Sequence, residues 1–326
     1  VELAHKLQPT LKNGDTIKIV LLDNKGDKVE TANATTRLIS SDNVVAILGA
    51  LTSTNTAQTI AIADKKGIPV IAPVATNDQL TAKRTFANRV CFTDSFQGEV
   101  VANYAKAQAY KTAVVVVDQS QVYSLGLAKA FETAFKKNGG EIVKTIKITS
   151  GDKDFKAVVS QIKETNPDFM FLPLYHPEAS MIARQSKQLG LEKPMFSGDG
   201  VANQTFIDLG GDSVNGYMFT DFFDSTNPPS QTSADFVAFH EKETGNKEMN
   251  SFTALGADTY NVLIAAMNRC EDPTNSVCVN KEIKKTAGFD GVSGKISIDS
   301  EGNATRSAVI KEIKDGKAVF KATVNP

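Results

Sequence analysis

The chain has 326 residues, of which 41% are hydrophobic and 22% are charged, and its formal net charge is −1 at pH 7. This length exceeds one typical hydrophobic core and favours two lobes. The balanced charge gives no support to a protein that binds nucleic acid or an anionic membrane, and no apolar run is long enough to cross a bilayer.

The first part of the chain alternates strand and helix patterns. Residues 1–7 carry one apolar helical face, and strands are predicted at residues 16–22, 44–48, 69–72 and 89–92, with helices between them. The helix predicted at residues 56–66 ends at Gly67 and, with its two flanking strands, forms a βαβ unit. The loops that follow two parallel strands lie at the same edge of the sheet.

A second alternating series follows the polar crossing TDSFQG. Helices are predicted at residues 99–109, 125–137, 155–164 and 178–189, and strands at residues 113–117, 141–148, 168–172 and 194–197. The run AVVVV indicates a strand buried on both faces, as in parallel sheets. NGYMFTDFF, which ends near Asp224, is predicted as a strand leading out of this second series.

The last hundred residues return to the first lobe and then end in hairpins. Helices are predicted at residues 234–244 and 254–269, and strands at 295–298, 307–313 and 318–324. The pattern predicts an α/β fold of two doubly wound parallel-sheet lobes joined by a hinge of several chain crossings. Lobe 1 comprises residues 1–93 and 224–304, lobe 2 comprises residues 94–223 and 305–326, and a ligand cleft is expected between them.

Two loops of the βαβ unit carry the first candidate site. One loop offers Ser53 and Thr54 at a helix start, and the other offers Val74, Ala75 and Thr76. Backbone N–H groups at a helix N-terminus, supported by hydroxyls, suit a small anion such as a carboxylate. Helix capping alone explains the two hydroxyls of the first loop about equally well.

Four further residues follow predicted strands or lie in the crossing: Asp94, Tyr123, Tyr175 and Asp199. The acids could be turn or cap residues, and the tyrosines could be core residues with one polar end. Taken with the hydroxyl loops, they suit a zwitterion with an apolar side chain, because carboxylates bind ammonium and aromatic rings cover apolar groups.

Motifs of enzymes and metal sites are missing from the sequence. It contains no phosphate-binding loop, dinucleotide fingerprint, nucleophile elbow or zinc-protease motif. The three histidines, His5, His176 and His240, do not have metal-ligand spacing. We therefore expect no catalytic residues, no metal and no cofactor, and a hydrolase is the weakest of the functional classes considered.

Seven segments resemble the leucine/isoleucine/valine-binding proteins, the type I periplasmic substrate-binding proteins of branched-chain amino acid ABC transporters. They are ILGALTSTNT, GIPVIAPVATN, NRVCFTDSFQG, DQSQVYSLGLA, GDKDF, NPDFMFLPLYHPE and FSGDGVAN. The resemblance covers the chain in order and implies a Venus-flytrap fold without enzyme activity. It implies a protein that captures a free amino acid by lobe closure and delivers it to a membrane permease, and it favours Leu, Ile or Val as that amino acid.

The resemblance also implies roles for individual residues. Ser53, Thr76 and the backbone around Val74 and Ala75 would hold the carboxylate and part of the amino group of the ligand. Asp199 takes the position of an ammonium partner that is often Glu in the family. The remaining positions are Tyr123 and Tyr175, which would close over the ligand, Asp94 beside the amino group, and Phe252 near the ligand side chain.

The sequence also carries expectations about where the protein acts, the redox state of its cysteines and its role. Family members begin with a strand that precedes the helix starting here at Val1, so we expect the natural protein to carry that strand and an export signal. We expect a monomer in the periplasm, or a lipid-anchored protein outside a Gram-positive cell.

The three cysteines bear on the compartment. Cys270 and Cys278 could form a disulfide, which would indicate export, whereas reduced thiols would favour the cytosol. Cys91 is predicted to be a buried thiol. The alternative role is the ligand-sensing domain of a receptor or regulatory system.

Overall fold

A computed structural model describes all residues from Val1 to Pro326. The chain divides into two compact units. Unit 1 comprises Val1–Thr93 and Phe223–Ser307, and unit 2 comprises Asp94–Phe222 and Ala308–Pro326. The chain therefore passes from one unit to the other three times, after Thr93, Phe222 and Ser307.

Most strands are short. They are β1 Ile47–Leu48, β2 Val70–Ala72, β3 Ala87–Arg89, β4 Thr112–Asp118, β5 Glu141–Ile148, β6 Phe169–Phe171, β7 Met195–Ser197, β8 Met218–Asp221, β9 Phe289–Gly291, β10 Gly294–Ile298, β11 Ala304–Thr305, β12 Ala308–Lys314 and β13 Lys317–Val324.

The α-helices alternate with these strands through most of the chain. They are α1 Glu2–Leu7, α2 Lys28–Ser40, α3 Ser53–Ala63, α4 Asp94–Ala107, α5 Val122–Lys137, α6 Lys156–Thr165, α7 His176–Gln188, α8 Gln204–Gly210, α9 Gln231–Thr244, α10 Ser251–Met267 and α11 Ser276–Ile283. None of them combines the length and the apolar character needed to span a membrane.

Unit 1 contains a parallel sheet of order β1-β2-β3 and a separate antiparallel sheet of order β11-β10-β9. The α3 helix packs on the parallel sheet through Ile60 and Ala63, which join Val70 and Ala87 in one buried cluster. A short 3₁₀ segment, Asp64–Lys66, continues α3 to Gly67, whose φ of 70° gives the left-handed C-cap predicted from the sequence.

Unit 2 contains one seven-stranded sheet of order β13-β12-β8-β7-β6-β4-β5. Its five strands from β4 to β8 are parallel, and the β12–β13 hairpin adds antiparallel to β8. The β4 strand is buried along almost its whole length, which explains its run of valines. From β4 the chain goes to β5 on one side and then to β6 on the other. The loops after β4 and β6 therefore diverge at a topological switch point, where open α/β sheets bind ligands.

Two chain crossings differ from the predicted lobe boundaries. Phe223 belongs to unit 1 because it packs in a buried cluster with Ala4 and Ala254. Residues 305–307 also belong to unit 1. The Arg306 guanidinium donates to the Ser293 hydroxyl at 2.7 Å and to the Ser293 carbonyl at 2.9 Å, which fixes this segment to unit 1.

One predicted strand is wrong, and several other predicted elements are displaced by a few residues; the strand predicted at residues 89–92, for example, lies at Ala87–Arg89. Residues 16–22 form no strand, because their backbone pairs only at the isolated Thr10–Thr16 bridge and the Ile17-to-Pro9 hydrogen bond rather than with the parallel sheet. The helix predicted at residues 99–109 begins five residues earlier, at Asp94. An acidic residue at the first helical position stabilises the helix N-terminus, and the TDSFQG crossing is therefore largely helical.

Cys270 and Cys278 form a disulfide across their polar loop, with their Cα atoms 6.0 Å apart. Cys91 is a buried thiol outside any disulfide, and its sulfur donates to the Ala75 carbonyl.

Candidate ligand-binding site

The start of α3 holds the first of the predicted groups in unit 1. Thr52, not Ser53, caps this helix, because the Thr52 side chain accepts from the Asn55 amide. Ser53 is 1% exposed, and its hydroxyl accepts from the Asn77 amide at 3.4 Å. Ser53 therefore joins the helix start to the loop after β2, and the capping explanation of this hydroxyl does not hold.

The loop after β2 carries the second predicted group. Val74, Ala75 and Thr76 are all buried, and Thr76 is 0% exposed. The Thr76 hydroxyl has no hydrogen-bond partner within the protein. A buried hydroxyl without a partner is unfavourable by roughly 1–3 kcal/mol. A ligand oxygen that paired with it would remove that penalty.

Arg89 holds this loop in place and is absent from the predicted set. The side chain is 0% exposed and lies at the end of β3. Its guanidinium donates to the Ala75 carbonyl at 3.0 Å and to the Asn77 carbonyl at 2.8 Å. The signal in the sequence was an arginine within a strand otherwise predicted to be buried, which requires polar partners nearby.

Phe252 lies elsewhere in unit 1, in the first turn of α10. Its amide donates to the Asn250 side chain at 2.7 Å, which caps the helix, and its ring is half-buried. The neighbouring Ser251 hydroxyl is buried and has no partner within the protein.

Asp199 is the centre of the second group, in unit 2. It follows β7 at the start of the 3₁₀ segment Asp199–Val201 and is 4% exposed. The Gln97 amide nitrogen donates to its carboxylate at 2.7 Å, and the neighbouring Tyr123 hydroxyl lowers the pKa of Asp199. Both groups are neutral, and no lysine or arginine pairs with Asp199. A buried carboxylate without a cation is costly.

The two predicted tyrosines meet beside Asp199. Tyr123 follows β4 and Tyr175 follows β6, and their rings stack with centroids 5.0 Å apart. Tyr123 is fully buried, and its hydroxyl also accepts from the Gly200 amide at 3.0 Å. Tyr175 is half-buried. The stacked pair thus lies at the switch point between β4 and β6, where the topology places a ligand.

Burial has the largest effect on the pKa values of Asp199 and Tyr123. It raises the pKa of Asp199 to about 7, and the negative charge of Asp221 adds to the rise while the Gln97 hydrogen bond opposes it. Burial and the neighbouring Asp199 likewise raise the pKa of Tyr123 well above its ordinary value. Asp94, the first residue of α4, is fully buried and adds negative charge near Tyr123.

The structure thus assembles the predicted residues as two groups. In unit 1 it joins Ser53 to the loop that carries Val74, Ala75 and Thr76, and in unit 2 it gathers Asp199, Tyr123 and Tyr175. Gln97 was missed because the predicted helix began two residues after it. No cluster of three or more His, Cys, Asp or Glu side chains in the structure could hold a metal ion.

Comparison with known proteins decides the family. The sequence model of the family described as "Periplasmic binding protein" matches residues 11–318. The chain belongs to this family. The prediction of the family is confirmed, and the family is one of solute-binding proteins and not of enzymes.

Solved structures of this family have the same fold. A leucine-binding protein, LivK, from Thermotoga maritima is 36% identical, with a TM-score of 0.97 over 100% of this chain and 92% of that chain. The substrate-binding protein LivJ of a branched-chain amino acid transporter from Streptococcus pneumoniae, in complex with isoleucine, is 30% identical. Its TM-score is 0.91, over 100% of this chain and 92% of that chain. The predicted two-lobed α/β fold of type I periplasmic binding proteins is therefore confirmed.

A curated relative agrees with these two structures. A Leu/Ile/Val-binding protein of Rhizobium johnstonii is 28% identical over 295 residues, which cover 90% of this periplasmic binding protein and 78% of the relative.

Proposed function

We propose that this protein binds a free amino acid with a branched aliphatic side chain outside the cytoplasm and delivers it to the permease of an ABC transporter. The names of the relatives support the ligand class, since they include a leucine-binding protein and a transporter protein with isoleucine bound. The geometry of unit 2 supports the chemistry, and the observation that carries the proposal is the buried Asp199 carboxylate without a cation.

The ammonium group of an amino acid would supply that cation. The groups beside the Asp199 carboxylate are neutral: Gln97 donates to it, and the Tyr123 hydroxyl lowers its pKa. A ligand ammonium beside it would favour the ionised carboxylate, and hydrogen bonds between charged groups are stronger than neutral ones. Asp94 is also buried in unit 2 and adds negative charge near Tyr123.

Unit 1 offers complementary groups for the carboxylate of the ligand. The Thr76 hydroxyl is buried and lacks a protein partner, and Ser53 lies at the N-terminal end of α3. Hydroxyls and amides at a helix N-terminus suit an anion. We infer that Ser53, Thr76 and the backbone at Val74 and Ala75 bind this carboxylate.

Apolar and aromatic surface completes the proposed site. The stacked rings of Tyr123 and Tyr175 can cover the aliphatic part of a ligand, and the half-buried ring of Phe252 can contact its side chain. We infer that one amino acid engages the groups of both units at once and thereby draws the units together, as in hinge closure. We expect the protein to act as a monomer.

The Cys270–Cys278 disulfide supports a location outside the cytoplasm, because disulfides persist in oxidising compartments. A periplasmic location and a lipid-anchored one on a Gram-positive surface both satisfy this condition. Detection of the oxidised pair in protein isolated from its own cells, with thiols blocked at lysis, would test it.

Asp199→Asn tests the proposal directly. The substitution keeps the size of the side chain and removes its charge, so the ligand ammonium loses its buried counter-ion. We expect the affinity for leucine, measured by isothermal titration calorimetry at pH 8, to fall by roughly a hundredfold or more.

The matched control is Asp212→Asn, because Asp212 is an exposed carboxylate of the same unit. We expect it to leave leucine affinity unchanged. Wild-type affinity in Asp199→Asn would contradict the assignment of Asp199 as the ammonium partner.

A further inference from the structure

We propose that Gln97 is a positioning residue of the ammonium site, whose side-chain amide orients the Asp199 carboxylate toward the ligand. This inference rests on the proposed function for its consequence in binding. Its geometric basis lies within unit 2, where both residues are buried.

The contact between the two side chains is short and joins distant parts of the chain. The Gln97 amide nitrogen lies 2.7 Å from one Asp199 carboxylate oxygen, although the residues are separated by 102 positions. Gln97 lies on α4 one turn after Asp94, so both side chains share a face of the helix. This helix thus presents two polar groups to the same buried region.

The opposite end of the Gln97 amide shows that the contact has a cost. Gln97 is 0% exposed, and its carbonyl oxygen has no hydrogen-bond partner. An apolar side chain of similar shape would avoid this buried unpaired oxygen. The donor end of the amide must therefore offset the cost, and Asp199 is the group to which it donates.

The chain leaves room for this amide at a glycine. A Cβ atom on Gly198 would lie 2.1 Å from the Gln97 carbonyl oxygen and 2.5 Å from the Tyr123 hydroxyl. Glycine at this position leaves room for the ends of the Gln97 and Tyr123 side chains beside Asp199. The turn before Asp199 is thus shaped around the side chains of Gln97 and Tyr123.

Several groups from different elements act on the charge of Asp199. The Gln97 hydrogen bond lowers its pKa, and Tyr123 does the same more weakly. Asp221, at the end of β8, raises the pKa of Asp199 although its own carboxylate pairs with Lys311 at 2.9 Å. Asp94 and Tyr175 act on the Tyr123 hydroxyl from α4 and from the loop after β6. Loss of Gln97 should therefore move the pKa of Asp199 further upward.

Gln97→Leu is the first test, because it keeps most of the volume and removes the donor. We expect leucine affinity at pH 8 to fall by about tenfold, the loss of one hydrogen bond to a charged group. We also expect the pKa of Asp199, followed by carboxyl carbon NMR in the ligand-free protein, to rise above the wild-type value of about 7. The control is Gln108→Leu, an exposed glutamine just after the same helix, which should change neither quantity.

A double-mutant cycle separates orientation from a general packing effect. Asp199→Glu lengthens the side chain and moves its carboxylate toward the amide of Gln97. Gln97→Asn shortens the side chain and moves its amide away from Asp199. Each single variant should bind leucine more weakly than wild type. The double variant should recover part of the loss, because one carbon added on one side compensates for one removed on the other.

Two results would overturn the inference. One is a Gln97→Leu variant with wild-type leucine affinity and an unchanged pKa of Asp199. The other is weakened binding with an unchanged pKa and no recovery in the double variant, which would indicate packing alone. If the wild-type protein bound no branched-chain amino acid, the proposed function would fail, and the ligand-free NMR titration would still decide whether Gln97 acts on Asp199.

Discussion

At the scale of single residues, the account depends on a carboxylate that the fold buries without a cation. The pKa of Asp199 is raised to about 7 by burial and by Asp221. The pKa in the folded state exceeds the ordinary value of 3.8. The contribution of Asp199 to the free energy of unfolding is therefore fully present at low pH and is lost as the pH rises toward 7. A ligand ammonium reverses this preference by favouring the ionised form.

Leucine binding should therefore depend on pH in a defined direction. Near pH 8 the carboxylate is largely ionised and the ligand still carries its ammonium, so the dissociation constant should change little with pH there. Below the pKa of about 7, binding must release the proton of Asp199, so affinity should fall toward tenfold per pH unit. Calorimetry from pH 5 to pH 9, in buffers of different ionisation enthalpy, measures both the affinity and the released proton.

The Asp199→Asn variant provides the control for this dependence. Its weaker binding should vary much less across the same range, because the titrating group is gone. A wild-type affinity that stayed constant from pH 5 to pH 8 would contradict the protonation argument.

At the scale of elements, the turn between β7 and Asp199 is held by close contacts. Gly198→Ala would place a Cβ 2.1 Å from the Gln97 carbonyl oxygen and 2.5 Å from a Leu127 methyl carbon. We expect the free energy of unfolding, measured by urea denaturation, to fall by about 1–3 kcal/mol. Leucine affinity should also fall, because the displaced Gln97 and Tyr123 side chains are those that contact Asp199.

Gly256→Ala is the matched control, because this glycine lies inside α10 and a Cβ there would meet its nearest atom, the Val1 nitrogen, at 3.4 Å. Helical alanine is favoured over glycine by about 0.5–1 kcal/mol, so the stability should be unchanged or slightly higher. Wild-type stability and affinity in Gly198→Ala would show that the turn has more freedom than the contacts indicate.

The elements also show what local patterns can predict. The strand at 141–148 has the predicted bounds, and β4 lies within one residue of its prediction, because runs rich in β-branched residues between turns are a local signal. Residues 16–22 have a similar apolar character but no neighbouring strand to pair with, and pairing is not encoded within the segment.

The candidate site was predicted only in part for a related reason. Tyr123, Tyr175 and Asp199 follow strands, so the rule for parallel sheets placed them at one edge. Gln97 was not predicted because the predicted helix began after it. Arg89 was not predicted because its partners are loop carbonyls, which the sequence of its own strand does not reveal. Contacts between distant positions depend on tertiary packing, which residue spacing does not report.

At the scale of the whole molecule, the two units carry complementary chemistry. Unit 1 has buried hydroxyls at the start of α3 and in the loop after β2, which suit a carboxylate. Unit 2 has a buried acid and stacked tyrosines, which suit an ammonium and an aliphatic group. A free amino acid combines all three features in one molecule. We therefore expect a ligand that lacks either charged group to lose the contribution of one unit.

The most direct test compares leucine with two analogues by calorimetry on the wild-type protein at pH 8. One analogue, 4-methylpentanoate, lacks the ammonium, and the other, 3-methylbutylamine, lacks the carboxylate. We predict that leucine, isoleucine and valine bind and that each analogue binds at least about a hundredfold more weakly than leucine. Equal affinity for leucine and either analogue, or no binding of the three amino acids, would contradict the account.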